Sequence, residues 1–590
     1  MSPSLKYTIS LLRKYLKPYL GQVILLGLLL ILYNGIQIIN PQVIRLYINA
    51  VFGEEIDIQF FQGKELAVII IWASVIYIGF SLIHRSIYVL IRYLSQNLSW
   101  ATTNDLRVDL TNHCMNLDMT FHNEYKTGEM IERIDGDASA LSEFFSTFSI
   151  YFFGSLLLLA GVLIAVFVEK WVYGLLFLGF ALIALLAFYF VRNVSSPLWK
   201  KARESTTALF GHIEESVSGL EDIKGNGADE FLMKRFHEVS QTDFKNKNKA
   251  MIVSRTYYAI NVSMSAILNI GILVVSYYLS TYLDTDAGVV YLLLTYGTNL
   301  LWPLRLLLWQ IEQLQNSLAN IERINEFFNL ETKIIDDGET AFPEGDVDLA
   351  FDRLDFGYSE ELVLKDINFN LQPGRKIGLV GHTGSGKTTL ARLVFRLYDP
   401  KSGKIRVNGI NTKNFPLKEL RKNIAYVTQD VELFKASIRD NVTFFDKEIP
   451  EEVILSIFKD IGLEKWYNNL PNGLETVIFS EELGLSAGEE QLLALTRAFL
   501  KNPRIVILDE ASSRLDPATE RRIEIALEKL LHGRSAIIIA HRLTTLHKVD
   551  DILILSNGEM VEYGSREELV QNPKSQFSQL LQKGIEEVLQ

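Results

Sequence analysis

At 590 residues the chain is too long for one hydrophobic core, so it holds more than one domain. Its hydrophobic share of 48% is concentrated rather than spread, and a formal charge of −12 speaks against a nucleic-acid binder. One cysteine, Cys114, excludes an intramolecular disulfide framework.

The first segment, residues 1–20, is basic and amphipathic, with Lys6, Arg13, Lys14, Lys17 and Pro18. It reads as an interfacial helix leading into a membrane span, not as a cleavable signal peptide. Apolar runs without Asp, Glu, Lys or Arg follow at 21–44, 66–84, 144–168, 171–191, 256–283 and 287–304. Runs of this length predict six membrane-spanning helices, because a hydrocarbon core of about 30 Å takes about 20 residues.

Cation placement predicts the orientation. Lys and Arg crowd the N-terminus, the segment after span 2 (Arg92, Arg107, Lys126, Arg133) and the segment after span 4 (Arg192, Lys200, Lys201, Arg203, Lys224). The other connections are short and poor in cations. By the positive-inside rule, both termini and the two long loops are cytoplasmic, in a multi-pass protein of the cell membrane, bacterial in type.

An acidic, turn-rich segment at 330–346 separates this half, 1–329, from a second half, 347–590. The second half alternates strand-like and helical stretches. Its apolar strand candidates are 376–381, 424–429, 504–510, 535–542 and 551–564, a pattern that predicts a parallel-sheet nucleotide-binding fold.

The loop GHTGSGKT, Gly381 to Thr388, follows the first of those strands and opens an amphipathic stretch, 388–398, expected to be a helix. It is a complete phosphate-binding loop. Gly381, Gly384 and Gly386 let backbone N–H groups curl around phosphate, with Thr383, Ser385 and Thr389 as neighbours in the cradle. Lys387 reaches the β- and γ-oxygens, and the Thr388 hydroxyl holds Mg²⁺. The chain therefore binds a nucleoside triphosphate. The strand IVILDE ends in two acids: Asp509 is placed to hold Mg²⁺, and Glu510 is the candidate general base for the attacking water. Gln429 ends another strand and can touch the metal or the water. His541 follows the apolar strand IIIA and can hydrogen-bond the γ-phosphate. Each of the last two is weak alone.

Together these residues resemble the ATP-binding cassette transporters, specifically exporter-type half-transporters that fuse one membrane domain to one ATPase domain. The resemblance covers nearly the whole chain. It implies a multidomain membrane protein: a six-helix all-α transmembrane domain followed by an α/β P-loop nucleotide-binding domain. It implies ATP and Mg²⁺ as ligands, and Tyr358 in FGYS as the aromatic that stacks on adenine. It also implies Gln429 as the Q-loop residue, Asp516 in the D-loop and His541 as the switch histidine. Residues 117–137 and 215–230 are similar to the two cytoplasmic loops whose short coupling helices dock on an ATPase domain.

The family signature LSGGQ reads LSAGE here, residues 485–489. Ser486 and Gly488 are retained as nucleotide contacts. Ala487 adds a methyl group where backbone must approach phosphate, and Glu489 adds an anion near the nucleotide. In this family the signature of one subunit covers the ATP held by the phosphate loop of the other. The departure implies a second, different half-transporter subunit as partner, with one competent and one degenerate site. A homodimer that tolerates LSAGE stays open. The implied activity is ATP hydrolysis driving export or flipping of a small amphipathic substrate across the bilayer, with no nucleic acid involved. An ATP-gated channel or a regulatory, non-transporting subunit is the alternative. Tyr296, Asn299, Trp302, Arg305, Asn34, Gln37, Asn261 and Asn269 are polar groups within the spans. They either line a substrate cavity or hydrogen-bond between helices.

Overall fold

Five of the six apolar runs lie within helices longer than themselves; the helix of the run at 144–168 spans Ser149–Glu169. The computed structural model describes residues 10–11, 13–53, 65–143, 146, 149–283, 286–428, 430–478, 485–509, 517–540 and 546–583. It divides into two compact units, Met1–Met115 with Thr127–Leu330, and Asn116–Lys126 with Glu331–Gln590.

The first unit is built from α1 (Leu20–Phe52), α2 (Leu66–Asn116), α3 (Ser149–Glu169), α4 (Trp171–Ser218), α5 (Asp229–Leu283) and α6 (Ala287–Phe328). Among the described residues, six helices are long and apolar enough to cross a membrane. The 51 residues of α2 rise through about 76 Å at ~1.5 Å per residue, more than twice a hydrocarbon core. The excess in α2, α4 and α5 is polar and was not marked by the apolar runs.

Spacing decides which side chains face inward. Tyr173, Phe177, Ala181, Ala184 and Phe188 recur at three- and four-residue intervals along α4 and are buried. They pack with Val162 and Val166 of α3, Leu268 and Ile272 of α5, and Leu293, Leu300 and Leu304 of α6. The same spacing leaves Ile24, Leu28 and Ile31 of α1, and Ile71, Val75, Ile78 and Leu82 of α2, exposed. An apolar face of this extent needs lipid against it. Where the two short connections turn, Arg45 of α1 donates to Glu169 at 2.7 Å and to Asp286 at 3.3 Å. Asn49 also donates to Asp286, at 2.6 Å, and accepts from the Gly288 N–H at 3.0 Å.

Two of the polar span residues are interhelical or intrahelical ties. The Tyr296 ring is fully buried; its hydroxyl donates to the Ile38 carbonyl at 2.8 Å and accepts from Gln42 at 3.3 Å. Asn34 is buried and donates to the Leu30 carbonyl of its own helix. Arg305 instead lies over the exposed Trp302 ring, 4.3 Å from its centroid. The basic N-terminal stretch is tied to α2 by side chains: Lys14 and the Tyr15 hydroxyl both donate to Asp109, and Tyr19 donates to Asp105.

The second unit holds two sheets. Strands β1 (Leu349–Phe356), β2 (Leu364–Leu371), β4 (Ser402–Val407) and β5 (Ile410–Asn411) form an antiparallel sheet in the order β2-β1-β4-β5. Strands β3 (Lys376–Val380), β6 (Ile424–Val427), β7 (Ile505–Asp509), β8 (Ser535–Ile539), β9 (Asp551–Ser556) and β10 (Glu559–Ser565) form the second, in the order β10-β9-β3-β8-β7-β6. It is parallel from β9 through β6. β7 and β8 are buried at every position, as a parallel sheet covered on both faces requires.

Two local expectations are corrected. Residues 551–564 are not one strand but the hairpin β9–β10. Asn557 and Gly558 turn it with φ of 51° and 82°, values that an Asn-Gly pair supplies with little strain. The helix after the phosphate loop, α7 (Lys387–Val394), is shorter than 388–398. It stops because Arg396 takes φ of 50° and sends its guanidinium to Asp399 and the Ile335 carbonyl.

Candidate functional site

The site forms where the parallel strands end. In a parallel sheet the carboxyl ends of β3, β7 and β8 lie on one edge, and there the chain can leave strands to meet a ligand. The loop from Gly381 to Gly386 leaves β3 on this edge and runs into the N-terminus of α7, where unpaired N–H groups and the helix dipole favour an anion.

Two glycines show why the loop takes this course. Gly386 has φ of 104°, and a Cβ there would stand 2.5 Å from Leu364 Cδ2. A Cβ on Gly381 would stand 2.3 Å from the Leu555 carbonyl oxygen. A Cβ on Gly384 would meet nothing within 4 Å, so the loop is packed behind and open in front. Lys387 arches back over it and donates to the carbonyls of Gly381 at 2.7 Å and His382 at 2.9 Å. Burial pulls its ammonium below the ordinary lysine value, while the Asp509 carboxylate acts in the opposite sense.

The Thr388 hydroxyl donates to Asp509 Oδ2 at 3.2 Å, which joins the loop to the end of β7. The Tyr426 hydroxyl lies 3.4 Å from the same oxygen. Burial, reinforced by Asp509, pushes the Tyr426 phenol up to about 12, so it stays a neutral donor. Tyr426 carried no signal beyond its place in an apolar strand. Tyr358 stands beside α7: its hydroxyl is 3.2 Å from the Thr389 hydroxyl and accepts from Arg392 at 3.3 Å. Its ring meets Phe356 and Tyr398 edge-on, each 5.1 Å between centroids, and remains 41% exposed. An aromatic face is thus available beside the loop.

These residues fit a nucleotide with its metal. Ser385 Oγ is buried and has no hydrogen-bond partner among the described residues. Thr388 and Asp509 present two hard oxygens to one point, the donor chemistry Mg²⁺ prefers. Gln429, Glu510, Asp516 and His541 lie outside the described residues.

Ser486 and Gly488 sit at the start of α8 (Ala487–Lys501). Ser486 is the N-cap, and its exposed hydroxyl accepts the Glu489 N–H at 3.4 Å. Glu489 does not extend away from the helix. Its carboxylate folds back to accept the Ser486 backbone N–H at 2.8 Å and the Ser486 hydroxyl at 2.9 Å. This reciprocal capping box is legible as Ser-x-x-Glu, a helix-start signal. Deeper in α8, Arg497 donates to the Asn441 carbonyl at 2.8 Å and the Glu432 carbonyl at 3.0 Å, anchoring the helix body.

One predicted coupling segment belongs to this unit by contact. Asp118 caps the short helix Met119–Glu124 by accepting from the N–H groups of Thr120 and Phe121. It also accepts from the Lys333 N–H at 2.5 Å. Asn123 donates to the Tyr398 hydroxyl, and Met119 packs against the sheet core. Burial alone would raise the Asp118 carboxyl; the backbone donors outweigh it and hold it below the usual range. The other segment forms the helix Leu220–Gly225, within the first unit.

Comparison with known proteins places the chain. Residues 364–513 match the family model described as ABC transporter, and residues 23–304 match the ABC transporter transmembrane region. The Bacillus subtilis protein YknV, an uncharacterised ABC transporter ATP-binding protein, is 30% identical over 95% of this chain and 92% of its own length. An ATP-dependent lipid A-core flippase of Pseudomonas fluorescens is 30% identical over 97% of this chain and 95% of its own length. A solved bacterial Atm1-family ABC exporter with ATP bound shares the fold, with a TM-score of 0.75 at 22% identity, covering 95% of this chain and 98% of that one. The chain therefore belongs to the ATP-binding cassette transporters: it is a transport ATPase with an exporter-type membrane domain fused to its ATPase domain.

Proposed function

We propose that the chain is one half of a dimeric exporter that moves an amphipathic molecule, lipid-like in character, across the bacterial cell membrane, with its ATPase domain in the cytoplasm. The observation that carries this reading is the convergence of Lys387, Thr388 and Asp509 at one sheet edge, in a chain that also carries six apolar spans. The lipid A-core flippases among its relatives support a lipid-like cargo.

In this reading the loop N–H groups and Lys387 bind the β- and γ-phosphates, and Tyr358 stacks on the base. Mg²⁺, when bound at Thr388 and Asp509, neutralises phosphate charge. Gln429 and His541 orient the water and the γ-phosphate, and Glu510 takes the proton of the attacking water. Two ATP molecules, each between the phosphate loop of one chain and the signature of the other, bring the ATPase domains together. The helices Met119–Glu124 and Leu220–Gly225 carry that movement to the spans. Cargo biases the cycle through its different affinity for the two states.

The LSAGE signature supports a heterodimer in which this chain supplies the competent Walker residues. Affinity purification of the tagged chain from its native membrane, with mass spectrometry and an ATPase assay, tests the assembly. A second half-transporter with an LSGGQ-like signature is the expected companion, and Glu510→Gln then lowers turnover at least 100-fold. Return of this chain alone as an active dimer rejects the heterodimer. Cargo-stimulated ATPase and ATP-driven vesicle uptake separate the pump from a gated channel.

A further inference from the structure

Strand register sets a phenol beside the metal residues. Tyr426 on β6 pairs with Ile507 on β7, two residues before Asp509. Paired residues of neighbouring strands share a sheet face, and so do residues i and i+2, so Tyr426 and Asp509 lie on one face. The Tyr426 hydroxyl donates to Asp509 Oδ2 at 3.4 Å, and the Thr388 hydroxyl donates to the same oxygen at 3.2 Å. Among the described residues no donor reaches Oδ1, so that oxygen stays open for another ligand. The Tyr426 ring leans on Phe395, with 6.3 Å between centroids, which limits where its hydroxyl can point.

A second link leaves Tyr426 in the other direction. Arg392 stands one turn along α7 from Thr389 and donates to the Tyr358 hydroxyl at 3.3 Å. The same guanidinium also reaches the Tyr426 phenol. One cation therefore serves both phenols, the one that offers an aromatic face beside the loop and the one that holds Asp509. The function proposed above gives neither Arg392 nor Tyr426 a part.

We propose that Tyr426 is a positioning residue of the metal site: its hydroxyl fixes the Asp509 carboxylate, and Arg392 ties the setting of that carboxylate to the base held at Tyr358. A donor behind a ligating carboxylate sets both its direction and its charge. The proposal rests on the reading of Tyr358 as the base contact and Asp509 as a metal ligand, and it deepens that reading. Base and metal are then joined by side chains as well as by the nucleotide itself. Such coupling is reciprocal: a seated base tightens the metal, and a seated metal tightens the base.

Two substitutions separate the parts. Tyr426→Phe keeps the ring and removes only the hydroxyl. Arg392→Met keeps the apolar stem and removes the cation between the two phenols.

The test uses the full assembly purified in lipid, with Mn²⁺ as the metal probe, read by electron paramagnetic resonance without turnover. Two phosphate ligands are compared: the non-hydrolysable β,γ-imido analogue of ATP, and inorganic tripolyphosphate, which has no base. Asp509→Asn defines the signal, because the bound Mn²⁺ that it abolishes belongs to this chain's site. Expected in Tyr426→Phe is a rise of about tenfold in half-saturating Mn²⁺ with either ligand, the effect of losing one orienting donor. Arg392→Met raises it with the ATP analogue and leaves it unchanged with tripolyphosphate. A purely structural Tyr426 would instead lower the melting temperature of the empty protein and leave Mn²⁺ affinity as it was, which overturns the proposal. Equal effects of Arg392→Met with both ligands overturn the link to the base. If Asp509→Asn abolishes no Mn²⁺ binding, the metal-site reading fails and the proposal falls with it; loss in Asp509→Asn with no change in Tyr426→Phe rejects the proposal alone.

Discussion

Lys501, the last residue of α8, is a half-buried cation with an unfavourable neighbour. Its ammonium lies 5.1 Å from the Phe395 ring centroid, and burial, followed by the charge of Arg421, pushes it down to about 8. Below about 8 the folded chain holds this proton at a cost. Between about 8 and the ordinary 10.5 the unfolded chain is protonated and the folded chain is not, so stability rises with pH across that window. Lys501→Met keeps the apolar stem and removes the charge. It is expected to raise the melting temperature at neutral pH by about 2–4 °C and to flatten the alkaline rise. Calorimetry of the purified protein at two pH values checks this; an unchanged slope in the variant excludes Lys501 as its source.

At the scale of elements, the short helix Met119–Glu124 is held through one side chain. Asp118 serves as its N-cap and as acceptor for the Lys333 N–H, so a single carboxylate orders the helix and binds it to the chain entering the ATPase domain. Asp118→Ala is expected to cost about 1–2 kcal/mol at the cap. Basal ATPase activity should persist, because no catalytic group is touched. Stimulation by cargo should fall by at least half, because the connecting element loosens. Equal losses of basal and stimulated activity would show that the helix supports the ATPase fold rather than transmission.

At the scale of the molecule, the membrane unit is sealed mainly by apolar surface, with a few polar ties. The group around Arg45 is the most connected of them: one guanidinium joins α1 to acids at the α3–α4 and α5–α6 turns. Removing the cation leaves two half-buried carboxylates facing each other's charge. Arg45→Ala is expected to destabilise the membrane unit by about 2–3 kcal/mol. Proteolysis or thermal melting in lipid should report this as loss of the α1 contact while nucleotide binding at Lys387 stays intact. If nucleotide affinity falls equally, the two units do not respond independently.

The sequence by itself determined the division into a membrane half and an ATPase half, the number of spans and the phosphate loop. These depend on local signals: apolar length, a Gly-rich loop between strand and helix, and acids closing an apolar strand. The length of the helices beyond the bilayer was not legible, because polar helix and polar loop share a composition. The antiparallel sheet of β1, β2, β4 and β5 was not read from its short alternating runs, since pairing across distant segments leaves no local mark. Asn557-Gly558 and Ser486-x-x-Glu489 carry local turn and helix-start signals, each embedded in a stronger pattern: an apolar strand run and the LSAGE signature. Only the tertiary structure decided that Tyr296 and Asn34 satisfy backbone carbonyls. Only it brought Tyr426 to Asp509 and turned Glu489 onto its own helix. Hydrogen-bond partners follow from the packing of whole elements, and residue type fixes only what a side chain can donate or accept.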